Sequence, residues 1–200
     1  ALHLGLASSF VFILLWQFLS MRKSEGVKWQ VFNAPPGFKD SEFKRLLILT
    51  SAIFSLLILG AWVSSSANGN QGCSVGFPDG WPKCQGDFLP TMDASGIIVQ
   101  MVHRLGAGIV GIALILGGMK FKEKTKESGA HDGYWKCLDF ATGLWLMNVV
   151  VGGMYVVFAK MGDFPEGLSL LHLIIGVASF LSISIGLMLL QLSEEGVEDE

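Results

Sequence analysis

Five long, almost purely apolar stretches alternate with polar connections along this chain. They cover approximately residues 1–20, 46–66, 96–119, 137–159 and 168–192. A helix of about 20 apolar residues crosses a hydrocarbon core about 30 Å thick. The fourth stretch also contains Asp139 and Asn148, but a membrane-buried Asn is commonly a hydrogen-bonding group between helices. The pattern therefore predicts an all-α membrane protein with five transmembrane helices.

The composition supports this class and excludes others. Hydrophobic residues make up 51% of the 200 residues, and charged residues make up 16%. Such a chain is too apolar for an ordinary soluble domain. The net charge is −3 and there is no basic stripe, so the sequence gives no indication of nucleic-acid binding.

The distribution of Lys and Arg predicts how the helices are oriented. Six of these residues lie in the connection 21–45 and five in the connection 120–136, whereas 67–95 and 160–167 hold one each. The positive-inside rule places the first two connections in the cytoplasm or an equivalent compartment. The other two connections and the N-terminus are then outside, and the acidic tail, 193–200, is inside.

Three of the four histidines, His3, His103 and His172, lie within apolar stretches. By helical rise, His103 and His172 fall within a few ångströms of the same depth in the outer leaflet. Two imidazoles at one depth on two helices are what axial ligation of a haem iron requires. The alternative is that each imidazole forms a hydrogen bond to a neighbouring helix.

Arg104 follows His103 inside the third span. A guanidinium there costs roughly 2.5–3.5 kcal/mol on the insertion scale unless an anion or water stabilises it. A haem propionate would be such an anion. Alternatively, the side chain extends to the outer headgroups, which its position near the outer end permits.

Cys73 and Cys84 flank a short Gly- and Pro-containing segment in the connection that the charge rule places outside. Two cysteines in such a loop on an oxidising side predict a disulfide that holds the loop over the outer-leaflet pocket. The other interpretation is a redox-active pair that reacts with a thiol partner. The cysteines do not form a Cys-x-x-Cys motif, which favours the structural role.

The motifs GAWVSSSANGNQGC, WPKCQGDFLP, IIVQMVHRLGAG and SLLHLIIGVASF together resemble the haem A synthase family. Members have two homologous four-helix halves, and the resemblance covers the C-terminal half plus one preceding helix. A loose internal repeat relates residues 2–10 to 171–180. The matching residues are Cys73, Trp81, Pro82 and Cys84 in the loop, His103 and Arg104 on the second helix, His172 on the fourth helix, and His3 on the closing helix of the other half.

The resemblance implies conversion of haem O to haem A, with this chain supplying a half that binds b-type haem through two histidines. His103 and His172 would be the iron ligands, and Arg104 and His3 would be further haem-binding residues. Haem O is the candidate substrate. The family's catalytic half has a glutamate three residues before its His-Arg histidine, where this chain has Gln100. Glutamine cannot accept a proton, so this half resembles the cofactor half.

Two other functions remain open from the sequence. One is a non-catalytic haem-binding or structural subunit of a respiratory or photosynthetic complex, and the other is a membrane thiol oxidoreductase. The family implies a bacterial cytoplasmic membrane or an organelle inner membrane, with lipid, haem and a partner chain or missing N-terminal half as partners. We expect a first helix, 1–20; a cytoplasmic loop, 21–45; a four-helix haem-binding bundle, 46–192, with the outer loop 67–95; and the tail, 193–200.

Overall fold

The computed structural model describes residues 1–26, 30–66 and 69–195. The helices are α1, Leu2–Ser24; α2, Phe38–Ser65; α3, Ser95–Ser128; α4, Gly133–Val157; and α5, Glu166–Leu192. Each is long and apolar enough to cross a membrane, which confirms the predicted all-α membrane fold with five spanning helices. A single 3-10 turn and a pair of two-residue parallel strands, Asn33–Ala34 and Glu194–Glu195, complete the described elements. Residues 196–200 of the predicted acidic tail lie outside the described residues.

Two helices extend well past the apolar stretches from which they were predicted. Helix α2 begins eight residues before the predicted start at 46, and α3 ends nine residues after the predicted end at 119. Apolar composition marks the part of a helix in hydrocarbon, whereas Lys, Arg and Glu continue a helix readily in water. Gly129 ends α3, because its left-handed backbone (φ 70°) redirects the chain after the last turn.

Helices α2, α3, α4 and α5 form a closed bundle in which each helix contacts the next and α5 contacts α2. Helix α1 lies outside the bundle against α5 and α2. The apolar window of α5 is 61% buried, compared with 17% for α1. The core is therefore centred on α5, and α1 is the peripheral helix.

Serine hydroxyls help to hold α5 against α4. Ser179 donates a 2.8 Å hydrogen bond to the carbonyl of Ala141, and Ser182 donates one of 2.9 Å to the carbonyl of Cys137. Where hydrocarbon surrounds the helices, small residues and such bonds provide close association. These two bonds hold α5 against α4 over about one helical turn.

At one end of the bundle, two lysines donate hydrogen bonds to the C-terminal end of α5. Lys23, at the end of α1, donates a 2.7 Å hydrogen bond to the carbonyl of Leu192, and Lys39, in the first turn of α2, donates one to the carbonyl of Gln191. Both ammonium groups thus satisfy carbonyls at the C-terminal end of α5 and oppose its dipole. The end of α1, the start of α2 and the end of α5 therefore lie at the same end of the bundle.

Candidate functional site at the His103 and His172 pair

Two histidines meet at the other end of the bundle. His103 lies eight residues into α3 and His172 six residues into α5, and both helices begin at this end. Their ring centroids are 6.4 Å apart, and the ring planes are 78° from parallel. Both side chains are partly buried.

A hydrogen bond fixes the orientation of His172. Its Nδ1 lies 3.0 Å from the carbonyl oxygen of Asn148 on α4. Because a carbonyl can only accept, Nδ1 carries the proton, and the lone pair of a neutral ring is on Nε2. In metal-ligating histidines, a carbonyl commonly accepts a hydrogen bond from one ring nitrogen in this way, which leaves the other ring nitrogen free to bind the metal.

Among the residues that the structure describes, His103 has no equivalent bond. Its Nδ1 is buried and has no hydrogen-bond partner within the described ranges. Among these residues, no hydrogen bond at Nδ1 therefore fixes the orientation of the His103 ring.

The separation of the rings fits two imidazoles on opposite sides of one metal ion. With a metal–nitrogen distance of about 2 Å and about 1.2 Å from nitrogen to ring centre, the expected centroid separation is roughly 6.4 Å. No group of three or more His, Cys, Asp and Glu side chains suitable for a bare metal ion occurs among the described residues. A haem needs only two axial ligands from the protein, since the porphyrin supplies the others. The residues present therefore fit a haem better than a bare ion.

Arg104 connects the histidine pair to the loop before α3. Its Nη1 donates hydrogen bonds to the carbonyls of Gly80 (2.8 Å) and Lys83 (2.9 Å). The sequence predicts that the guanidinium contacts either a haem propionate or the outer headgroups. Neither interpretation includes these hydrogen bonds to the loop. The other terminal nitrogen, Nη2, is buried and has no partner in the described part of the chain. One side of the guanidinium therefore remains available for an anion.

A disulfide joins Cys73 and Cys84 in this loop, as the sequence predicted, and the loop is docked on α4. The Gly76 N–H donates to the Val156 carbonyl at the end of α4. The indole of Trp81 lies against Gly153, where an added Cβ would come within 2.8 Å of the ring. The loop thus packs against the helix that carries Asn148. We call residues 73–84 the disulfide loop.

Gln100, which replaces the expected acid, has a structural contact. Its buried side chain donates a 2.9 Å hydrogen bond from Nε2 to the carbonyl of Gly69. This bond holds the segment before the disulfide loop against α3. The Gly69 carbonyl needs a hydrogen-bond donor, which the Gln100 amide provides. An ionised carboxylate at this position could not donate this bond.

The remaining histidines lie apart from the pair. His3 is exposed at the start of α1, and the ring contact involves His103 and His172 without it. His131 is exposed, and its Nδ1 accepts a 3.0 Å hydrogen bond from the Gly133 N–H at the start of α4.

Sequence reasoning missed the backbone carbonyl and the two glycines that lie against the imidazoles. Asn148 was interpreted through its side chain, yet its backbone carbonyl is the group that contacts His172. Its side-chain Oδ1 is buried without a partner in the described ranges. Gly60 and Gly152 lie directly against the two rings. The sequence feature that could have identified these glycines is their position. Both lie near the ends of the helices that precede the histidine helices.

The fold and this site define a membrane helix bundle with a histidine pair suited to haem. The chain belongs to the COX15-CtaA family, described as cytochrome oxidase assembly protein, whose model matches residues 1–184. It is similar to proteins named heme A synthase from Bacillus cereus (strain AH187) and Bacillus anthracis (strain A0248), with 27% identity over 144 residues in each case. These matches cover 70% of this chain and 42% of each relative, so the chain spans about two fifths of the length of the curated relatives it matches. No solved structure matches.

Proposed function

We propose that this chain is the haem-binding half of a haem A synthase-like membrane protein, with His103 and His172 as axial ligands of one b-type haem. The observation that carries the proposal is the 6.4 Å separation of the two imidazole rings. The similar proteins named heme A synthase support a role in haem A synthesis. A bound haem would supply one-electron redox chemistry at this end of the bundle.

The protein groups have separate tasks in this proposal. His172 is kept in one tautomer and one ring orientation by the Asn148 carbonyl, which makes it the more rigid ligand. His103 provides the second imidazole. Arg104 uses Nη1 to hold the disulfide loop, and we assign Nη2 to pairing with a haem propionate.

The disulfide loop covers the histidine end of the bundle. Trp81 against Gly153 and the bond from Gly76 to Val156 fasten it to α4. A covered site excludes water and strengthens the electrostatic interactions inside it. We propose that the loop lies on the outer side of the membrane, as the lysine distribution predicts, in a bacterial cytoplasmic membrane or an organelle inner membrane.

Gln100 affects whether this half can take part in proton transfer during the oxidation of haem O. Its amide cannot accept a proton from a reacting methyl group and is already bonded to Gly69. Oxidation of haem O to haem A, the reaction that the resemblance implies, therefore needs an acid–base group other than the side chain at position 100. The same observation favours a second candidate, in which the chain binds haem without itself catalysing the oxidation.

Haem content of the purified chain tests the proposal. The wild-type protein in detergent should bind one haem per chain and show the sharp reduced α band of a low-spin haem. His103→Ala and His172→Ala should each lose or convert that signal, whereas His131→Ala, outside the pair, should retain it. Absence of haem from the wild-type chain, or an unchanged spectrum in both site variants, would refute the proposal.

A further inference from the structure

Each imidazole of the pair lies against a glycine of the preceding helix. A Cβ added at Gly60 on α2 would come within 3.0 Å of His103 Cε1, and one added at Gly152 on α4 would come within 2.8 Å of His172 Cε1. Both distances are tighter than ordinary van der Waals contact. Neither glycine has positive φ, so the need for glycine here is space and not backbone conformation.

The two glycines occupy equivalent places in the fold. Gly60 lies five residues before the end of α2, and Gly152 lies five residues before the end of α4. In each case the next helix of the chain carries the histidine. The pairs α2–α3 and α4–α5 therefore repeat one arrangement, in which a glycine near the end of one helix faces an imidazole near the start of the next.

We propose that Gly60 and Gly152 are positioning residues that set where the two imidazoles lie and how their planes are turned. The inference rests on the proposed function and names residues that the proposal did not use. Other helix glycines contact different groups: an added Cβ at Gly106 would meet the flexible Leu56 side chain. Such a side chain can rotate away, whereas a ring held by a ligand on one side and a helix on the other cannot.

Substitutions at Gly152 and Gly60 should differ in how strongly they perturb the histidine site. His172 is held by the Asn148 carbonyl as well as by its place on α5, so it cannot turn from a new methyl group without losing that bond. His103 has a free Nδ1 within the described residues and a slightly longer Cβ distance. Gly152→Ala should therefore perturb the site more than Gly60→Ala. We expect about a tenfold loss of haem affinity for Gly152→Ala, as overpacking costs of this kind allow.

The test is electron paramagnetic resonance of the haem-loaded 200-residue chain. Nearly perpendicular imidazole planes leave two iron orbitals almost equal in energy and give a strongly anisotropic low-spin signal, so a change in the angle between the planes shifts the largest g value. We expect this shift in Gly152→Ala and a smaller one in Gly60→Ala. Gly143→Ala on α4 and Gly108→Ala on α3 are matched controls, since nothing lies within 4 Å of a Cβ at either position.

A rescue experiment separates ring position from general folding damage. In His172→Gly, added imidazole should restore the low-spin haem, and it should also do so when Gly152→Ala is present, because a free ring can shift away from the methyl group. Failure of imidazole in the double variant alone would show that Gly152 acts through helix packing and would overturn the inference. Identical spectra for Gly152→Ala and Gly143→Ala would overturn it too. A wild-type chain without haem would instead refute the proposed function.

Discussion

The imidazole of His172 donates a 3.0 Å hydrogen bond from Nδ1 to the backbone carbonyl of Asn148. The bond crosses from α5 to α4 and uses the backbone carbonyl of a buried residue of α4. It distinguishes His172 from the other member of the pair, His103, whose Nδ1 has no partner among the described residues.

Replacing each histidine by Gly and adding free imidazole should reveal the asymmetry. In His172→Gly, imidazole can restore the hydrogen bond to the Asn148 carbonyl, but 1-methylimidazole cannot, because its only possible donor nitrogen carries a methyl group and it has no N–H. A hydrogen bond of this kind contributes about 0.5–1.5 kcal/mol, so imidazole should bind roughly 2–10 times more tightly than its methyl derivative. In His103→Gly, the two ligands should bind equally, as judged by optical titration. Equal binding in both variants would exclude a role for the Asn148 carbonyl.

Arg104→Met should loosen the disulfide loop. The substitution removes the donors to the Gly80 and Lys83 carbonyls, and each lost bond to a charged group costs about 1.5–3 kcal/mol. Hydrogen exchange in the loop should become faster, while exchange in α5 should be unchanged. Lys160→Met, on the other connection at this end, is the control. Unchanged exchange in the loop of Arg104→Met would show that these bonds do not hold it.

Cys73 and Cys84 should be found linked in protein isolated without reductant, as a single cross-linked peptide in mass spectrometry. Closing so short a ring stabilises a chain by about 2–3 kcal/mol in the chain-entropy model. The Cys73→Ser variant should therefore have a less stable loop and should still bind haem. Loss of turnover with haem and loop structure intact would support the redox interpretation instead.

Trp135→Phe should raise the pKa of the Asp132 carboxyl. The Trp135 indole N–H, followed by Lys136, holds this pKa below its ordinary value. A lowered pKa stabilises the fold above the unfolded-state pKa, and the contribution is lost as the pH falls through the folded-state value. A carbon-13 carboxyl titration should show the rise in Trp135→Phe and none in Trp62→Phe. The same midpoint in both variants would contradict the assignment.

The number and type of the helices could be predicted from the sequence because membrane crossing requires long apolar runs. The helix ends could not, since charged residues before 46 and after 119 continue α2 and α3 into water. The approach of His103 and His172 followed from their similar depth along two spans. The groups that hold the two rings could not be predicted. A backbone carbonyl such as that of Asn148 leaves no mark in the sequence, and neighbouring helices bring it to its partner.

Near-infrared magnetic circular dichroism of the oxidised, haem-loaded chain tests the central claim most directly, because the charge-transfer band of a low-spin haem reports its pair of axial ligands. We expect the band of a two-imidazole haem in the wild-type chain. The band should disappear in His103→Ala and in His172→Ala and remain in His131→Ala. A high-spin spectrum in the wild-type chain, or a low-spin band that survives both site substitutions, would contradict ligation by this pair.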